Sequence, residues 1–113
     1  MNILILEGSI LRDADYENIQ KDRDVFEEEV SFEICIKSAY KDEDGYKTHT
    51  NFAPVIYHGD NALELSKALK KERKVRVIGS IFSREEYNEY GNRKTKVYIE
   101  AEKIEFPYAD YEK

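Results

Sequence analysis

The stretch VSFEICIKSAYKDEDGYKTHTNFAPVIYH, residues 30–58, decides the fold of this chain. Its first part alternates, with Phe32, Ile34 and Ile36 on one side and Glu33, Cys35 and Lys37 on the other, which predicts a β-strand over residues 30–41. The tetrapeptide DEDG at 42–45 ends in Asp-Gly, a strong turn signal between two strand-like runs. Residues 47–58 then predict the return strand of a long hairpin, with Pro54 at an edge or bulge because proline cannot donate a ladder hydrogen bond.

The remaining segments surround this hairpin with three more strands and one helix. Residues 3–11 predict a strand bent at Gly8, and residues 74–84 and 94–106 predict the last two strands, joined by a turn at 88–92. Residues 60–71, DNALELSKALKK, have the apolar spacing and the basic last turn of a short helix. Residues 13–29 hold eight acidic and two basic side chains, and this composition favours an exposed loop.

The resulting order is three strands, one helix and two strands. It predicts an all-β fold with one short helix: a five-stranded OB-type Greek-key barrel, with the helix between strands 3 and 4. A β-sandwich is the main alternative, but it usually needs about seven strands. With 113 residues the chain is long enough for one domain, which we expect over residues 1–106, followed by a short C-terminal extension at 107–113.

The composition excludes several classes of function. No apolar run is long enough to span a membrane, and the start has no basic flank before its short apolar run, so we expect a cytoplasmic protein without a membrane partner. Cys35 is the only cysteine, and neither it nor His49 and His58 shows metal-ligand spacing. We therefore expect no metal and no cofactor, and we interpret Cys35 as a small packed side chain.

Charge is distributed unevenly along the chain. The net charge is −6, which counts against a nucleic-acid partner, since phosphate binding requires a basic surface. However, residues 1–60 carry six basic and fourteen acidic side chains, whereas residues 61–113 carry twelve basic and ten acidic ones. One face can therefore be basic although the whole chain is acidic.

Four segments resemble the bacterial single-stranded DNA-binding protein family. MNILILEGSILRD at 1–13 is similar to the family's opening strand, and SAYKDEDGYKTHTNF at 38–52 is similar to its hairpin. Residues 55–87 are similar to the family's segment with a glycine, the helix, a lysine-rich exit and a Val-x-Val-x-Gly strand; their sequence is VIYHGDNALELSKALKKERKVRVIGSIFSREEY. AEKIEF at 101–106 matches the closing strand.

The resemblance implies an OB-fold whose outer aromatic side chains stack unpaired bases. Tyr40 and Phe52 match two such positions, and His58 stands where the family usually has phenylalanine or tryptophan, so it is either a stacking or a polar surface residue. At the last position where the family commonly has tryptophan, this sequence has Glu86, with Tyr87 beside it. Phe82 is an even number of residues from Arg76 and Arg84, so we expect it to point outward with them. It either stacks a base or packs against a neighbouring subunit. The predicted stacking residues are Tyr40, Phe52, His58, Phe82 and Tyr87.

We expect basic side chains near these aromatics to contact phosphate. The alternative role of these basic side chains is that of ordinary solvated charges. These candidates are Lys37, Lys74, Arg76, Arg84 and Lys94. Cations release counterions from phosphate and give sequence-independent affinity, while stacking selects single strands. No catalytic residues are expected, because the paired carboxylates Glu85 and Glu86 or Asp13 and Asp15 stand in charged runs of the kind that are usually solvated.

The predicted function is sequence-independent binding and protection of single-stranded DNA in replication, recombination and repair. The predicted location is the cytoplasm, in association with the nucleoid. The resemblance also implies a homotetramer and a flexible tail with an acidic-hydrophobic tip that recruits replication and repair enzymes. Only PYADYEK follows Phe106, so either the chain is a truncated or tailless relative or this recruitment is absent. The alternative function is a primosome-like assembly or protein-interaction module with secondary nucleic-acid binding, which the acidic first half of the chain favours.

Overall fold

In a computed structural model, which describes residues 1–107, the chain forms one curled sheet with a short helix. Within that range there are six strands and one helix. They are β1 (Leu4–Ile10), β2 (Asp15–Asp22), β3 (Val25–Asp42), β4 (Gly45–His58), α1 (Ala62–Ala68), β5 (Lys74–Tyr87) and β6 (Arg93–Glu105). The short α1 is not long and apolar enough to cross a membrane, and the described range holds no other helix.

Five of the strands close into a barrel. The strand order is β1-β5-β6-β4-β3-β2, and β1 also pairs with β3 through Ser9–Cys35 and Ile10–Ile34, which completes the ring. All neighbouring strands are antiparallel except β4 and β6, which run parallel from Val55 to Tyr57. The predicted five-stranded barrel with one short helix is therefore confirmed.

The prediction of an exposed loop over residues 13–29 is wrong. Residues 15–22 form β2, which pairs with the first part of β3, and β3 begins at Val25 rather than at residue 30. The acidic side chains do not prevent pairing, because they remain at the surface and find local partners: Lys21 lies 3.1 Å from Glu27, and the Tyr16 hydroxyl donates to Glu28 over 2.6 Å. Because β2 is an added strand, the helix lies between the fourth and fifth strands of the chain.

The core lies inside the ring and at the end that α1 closes. The wholly buried side chains come from β1, β3, β4 and β5 and from the residue after the helix: Ile10, Val30, Ile34, Val55, Val75, Val77 and Leu69. Leu65 packs against this cluster, and Ala62 is buried within it. Apolar burial of this kind contributes roughly 25 cal/mol per Å², so the barrel interior is the main source of stability.

Both long hairpins extend past the ring. β4 contacts β6 only at residues 55–57, so at Pro54 the strand is paired on one side alone, as predicted for a proline. The first hairpin turns at Glu43–Asp44, and Gly45 follows with a φ of 114°. The second turns between Tyr87 and Arg93, where Asn88 Oδ1 accepts hydrogen bonds from the amides of Tyr90 and Asn92.

Strand alternation defines two faces of the sheet. The core face carries Val30, Ile34 and Val55, and the intervening side chains point to the opposite side, the outer face. Paired residues share a face, and the β3–β4 register runs without a shift from Glu29–His58 to Asp42–Gly45. In β5–β6 the only shift lies between Ile78 and Gly79. The register therefore assigns every hairpin side chain to one face.

Candidate nucleic-acid interface

All five predicted phosphate-binding cations lie on the outer face. Lys74, Arg76 and Arg84 are separated by even numbers of residues along β5, so they share one face. This face is opposite to that of the buried Val75 and Val77. Lys94 pairs with Glu86 across the second hairpin, and Lys37 shares its side of β3 with Cys35. Residues far apart in sequence thus place their positive charges on one side of the sheet.

The environments of these cations differ. Arg76 is held by two carboxylates, with Nη2 2.6 Å from Glu7 Oε1 and Nη1 3.6 Å from Glu105 Oε1, so most of its charge is already compensated. Lys37 and Lys74 line a common notch of about 240 Å³ between β1 and β3. Arg84 lies over aromatic rings on the second hairpin.

The predicted stacking residues do not share one face. Phe52 pairs with Cys35, so it lies on the outer face, together with His58 and Phe82. Tyr40 pairs with Lys47 and lies on the core-face side of the first hairpin, beyond the barrel. Tyr87 is an odd number of residues from Phe82, so it also points away from the outer face.

Tyr40 and Phe52 are nevertheless both accessible. Tyr40 is 46% exposed and Phe52 is 53% exposed, so neither ring is buried in the barrel. The Tyr40 ring lies 6.0 Å from the ring of His49, its neighbour on the same face. A base could reach either residue, but a strand lying flat on one face would meet only one of them.

His58 lies among carboxylates. Its Nε2 is 2.9 Å from Glu29 Oε1, and its Nδ1 is 3.9 Å from both Glu27 Oε1 and Glu100 Oε1. The hydrogen bond from Lys21 lowers the pKa of Glu27 below its usual value, and the charge of Arg84 acts in the same direction. This end of the outer face is therefore negative and disfavours phosphate.

A pair of stacked rings lies on the outer face of the second hairpin, where Tyr98 is two residues from Glu100 of the acidic cluster. Phe82 pairs with Tyr98 across the second hairpin, and the two ring centroids are 5.5 Å apart with an interplanar angle of 23°. The guanidinium of Arg84 lies 5.3 Å from the Tyr98 centroid, and Lys96 Nζ lies 5.2 Å from it. These distances suit cation–π attraction.

Tyr98 and Lys96 were missed as binding residues in the sequence. Their signal was the register of the hairpin: a turn centred on Tyr90 places Phe82 opposite Tyr98 and Arg84 opposite Lys96. The Tyr98 hydroxyl donates to Glu86 Oε1 over 2.6 Å, and this hydrogen bond raises the pKa of Tyr98 above its usual value.

A groove of about 340 Å³ runs beside these rings. Arg84, Lys96 and Tyr98 line one side of it, and the buried Ile56 with Pro54 lies beneath. The other side is formed by residues of β3, the β1–β2 connection and the start of β2, with Arg12 and the carboxylates Asp13, Asp15, Glu29 and Glu33. The groove therefore has a cationic, aromatic side and a side on which four carboxylates outnumber one arginine.

No group of three or more histidine, cysteine or acidic side chains in residues 1–107 is arranged to hold a metal ion. The thiol of Cys35 is free and half-buried on the outer face. Cys35 lies on β3 opposite Ser9 of β1, where these two strands close the barrel. The described part of the chain thus presents a surface suited to stacking and charge contacts.

The fold and this surface define an OB-fold nucleic-acid-binding protein. The model of the Single-strand binding protein family matches residues 1–107, and the chain belongs to this family. The family consists of non-enzymatic proteins that bind single-stranded DNA, which identifies the function of this chain. A sequence search of curated proteins gives no significant match.

Solved structures share the fold at low sequence identity. A small single-stranded DNA-binding protein from Streptomyces coelicolor is 22% identical with a TM-score of 0.70, over 96% of this chain and 95% of that one. An SSB from Plasmodium falciparum, in complex with ssDNA, is 19% identical with a TM-score of 0.76, over 93% and 91%. A deletion mutant of the single-stranded DNA binding protein from Thermus aquaticus is 21% identical with a TM-score of 0.78, over 93% and 49%.

Proposed function

We propose that the protein coats single-stranded DNA along its outer face, in replication, recombination and repair. The observation that carries this proposal is the convergence of all five predicted cations on the face that also bears Phe52 and Phe82. Cations bind the phosphates irrespective of sequence, and flat rings accept the faces of bases that are not paired. A duplex offers its phosphates but not its base faces, so this arrangement selects single strands.

The acidic net charge does not oppose this function. Carboxylates surround His58 and line the β2–β3 hairpin, whereas Arg84, Lys94 and Lys96 lie on the neighbouring second hairpin. The two regions adjoin on one face, because the charge of Arg84 reaches Glu27 and helps to lower the pKa of that carboxyl. The DNA path therefore follows the second hairpin and avoids β2.

Titration with poly-dT tests the function directly. The chain has nine tyrosines and no tryptophan, so its intrinsic tyrosine fluorescence reports stacking without labels. We expect quenching at low salt that reverses as salt is added. Lack of quenching at low salt would overturn the proposal.

A matched pair of variants tests the face. Phe52→Ala removes a ring from the outer face, and Tyr40→Ala removes a ring of similar exposure from the opposite side of the same hairpin. We expect Phe52→Ala to weaken oligo-dT binding roughly tenfold, in the range measured for single stacked bases. Tyr40→Ala should then have the smaller effect. The reverse order would place the DNA on the other face of the hairpin.

Protein interaction is the second candidate function. The tip of the β2–β3 hairpin exposes Val25 and Phe26 within an acidic segment that repels DNA. Such a surface suits a basic protein partner better than a nucleic acid. If poly-dT causes no quenching, this candidate becomes the leading one.

The predicted homotetramer is also proposed. β1 pairs with β5 from Leu4 to Ser9 but meets β3 only at Ser9 and Ile10, so one edge of residues 4–8 has no strand partner within residues 1–107. Ile3 and Ile5 are exposed beside this edge. An apolar, unpaired strand edge favours pairing with a second copy. Light scattering should give the mass of an oligomer, and a monomer at micromolar concentration would refute it.

We further propose that residues 1–106 are the binding domain, that the chain has no catalytic activity and that it works in the cytoplasm, in association with the nucleoid. The predicted extension at 107–113 lies outside the described residues except for Pro107. We expect no cleavage of single-stranded DNA with magnesium present. A nuclease activity that copurifies with the wild type and disappears in a Glu85→Gln, Glu86→Gln variant would contradict this.

A further inference from the structure

The second hairpin holds a compact two-ring platform whose members come from different strands. Phe82 of β5 and Tyr98 of β6 stack at 5.5 Å, and both side chains are half-buried. In an offset pair each ring uses one face on its partner, and the geometry is of the kind that aromatic pairs prefer. Each ring of the platform thus keeps one face that its partner does not cover.

Two cations accompany the platform without carboxylate partners. Within residues 1–107, neither Arg84 nor Lys96 lies within ion-pair distance of an acidic side chain, in contrast to Arg76. Both lie against the Tyr98 ring and line the groove beside it. A phosphate at this place would meet two cations that have no direct ion pair in the described range, although the charge of Arg84 reaches Glu27.

The acidic side of the groove orients an incoming nucleotide. Glu29 and Glu33 repel phosphate from the side that β3 forms, while Arg84 and Lys96 attract it to the second hairpin. The base then enters the groove beside Tyr98, above Ile56. The arrangement suits an unpaired nucleotide with its phosphate on the hairpin and its base directed inward.

Glu86 fixes the position of the Tyr98 ring. Tyr98 pairs with Phe82, yet its hydroxyl reaches Glu86, four residues further along β5, so the side chain leans along the hairpin toward the turn. A carboxylate on a DNA-binding hairpin otherwise repels phosphate, and here it serves as the hydrogen-bond acceptor for the ring. The raised pKa of Tyr98 accords with this contact.

From this geometry we infer that Tyr98 is a base-stacking residue of the single-strand site and that Glu86 is a positioning residue that acts through it. The inference rests on the proposed function and adds two residues to it. Tyr98 contacts the base directly, whereas Glu86 acts through its hydrogen bond with the Tyr98 hydroxyl.

Substitution of Tyr98 tests the stacking role. Tyr98→Leu keeps an apolar side chain on the strand and removes the ring, and Tyr98→Phe keeps the ring and removes the hydroxyl. We expect Tyr98→Leu to weaken oligo-dT binding about tenfold and Tyr98→Phe to weaken it only about threefold. If the wild type binds oligo-dT and Tyr98→Leu binds equally well, the inference is overturned while the proposed function stands. If the wild type fails to bind, the proposed function itself is overturned.

Paired substitutions of Glu86 test the positioning role. Glu86→Gln and Glu86→Ala remove the same negative charge, but only glutamine keeps an acceptor for the Tyr98 hydroxyl. We expect Glu86→Ala to bind oligo-dT about three- to fivefold more weakly than Glu86→Gln, as for loss of one hydrogen bond. In the Tyr98→Phe background the two variants should bind alike. A difference that persists in that background, or equal binding in the wild-type background, would refute the role of Glu86. Circular dichroism and urea unfolding of each variant serve as the folding control.

Discussion

At the scale of single residues, the environment of a charge decides whether it is available to DNA. Arg76 and Arg84 lie on the same strand and the same face, eight residues apart. Arg76 is bound by Glu7 and Glu105, whereas Arg84 lies over the rings of Phe82 and Tyr98. The difference follows from what neighbouring strands place opposite each arginine.

The two arginines therefore form a matched pair for salt dependence. Arg84→Ala should remove one phosphate contact and lower the slope of log K against log salt by about 0.7, the value per contact for single strands. Arg76→Ala should leave the slope nearly unchanged, because its charge is already compensated. Oligo-dT titrations at several salt concentrations measure both slopes. Equal reductions in the two variants would contradict this account.

The phenol of Tyr98 gives a pH signature. Its hydrogen bond to Glu86 raises its pKa, and Tyr16 has the same relation to Glu28. The folded state therefore holds these two protons to higher pH than the unfolded state does. Their stabilising contribution is complete below about pH 10, the usual tyrosine pKa, and is lost as pH rises through the raised values.

A spectrophotometric titration of the tyrosines checks this expectation. We expect a late-ionising component, that is, tyrosines that ionise at a higher pH than the others. In Glu86→Gln part of this component should move to lower pH, because a neutral amide accepts a hydrogen bond more weakly than a carboxylate does. Glu28→Gln should move the Tyr16 part instead. The expectation fails if neither substitution changes the late component.

At the scale of the elements, two close backbone approaches shape the barrel. A Cβ on Gly79 would overlap the carbonyl oxygen of Glu100, next to the register shift in β5–β6, and a Cβ on Gly8 would overlap the carbonyl oxygen of Cys35, where β1 meets β3. Gly8, predicted at a strand bend, and Gly79 are therefore places where two backbones come close.

Substitution of Gly79 should disrupt this packing. Gly79→Ala forces backbone atoms apart and should lower the free energy of unfolding by about 3 kcal/mol, as for an overpacked core site. Gly91→Ala is the control: its Cβ has no neighbour within 4 Å, and only its φ of 80° opposes alanine, at a cost of about 1 kcal/mol. Urea unfolding compares the two. A smaller loss at Gly79 than at Gly91 would be inconsistent with the close approach.

At the scale of the whole molecule, positive and negative regions are separated by the fold. The first half of the chain supplies β2 and most of the acidic surface, and the second half supplies the second hairpin with its cations. Cations from β3 and β5 meet at the notch between β1 and β3.

The free edge of β1 leads to a prediction about assembly. Replacing both Ile3 and Ile5 by lysine places two charges beside the unpaired edge and should dissociate the proposed oligomer, because buried unpaired charges are costly. Light scattering measures the mass, and circular dichroism verifies the fold. An unchanged mass would place the contact between copies elsewhere.

The strand pattern was readable where apolar and polar residues alternate strictly, as from Phe32 to Lys37. It failed for β2, because its two half-buried residues, Tyr16 and Ile19, lie on opposite faces of the strand and acidic residues dominate the rest. β2 forms because β3 offers it backbone partners without interruption from Asp15 to Gln20, and these do not depend on side-chain type. Composition alone therefore predicted a loop where pairing makes a strand.

By itself, the sequence determined the all-β architecture, the two hairpin turns, the helix and the resemblance to single-stranded DNA-binding proteins, because these depend on local periodicity and turn chemistry. Only the tertiary structure decided which rings and charges share a face. It separated Tyr40 from Phe52, joined Phe82 to Tyr98 and neutralised Arg76. The physical reason is that side-chain partners are set by the register between strands distant in sequence, and a shift of one residue turns every side chain to the other face.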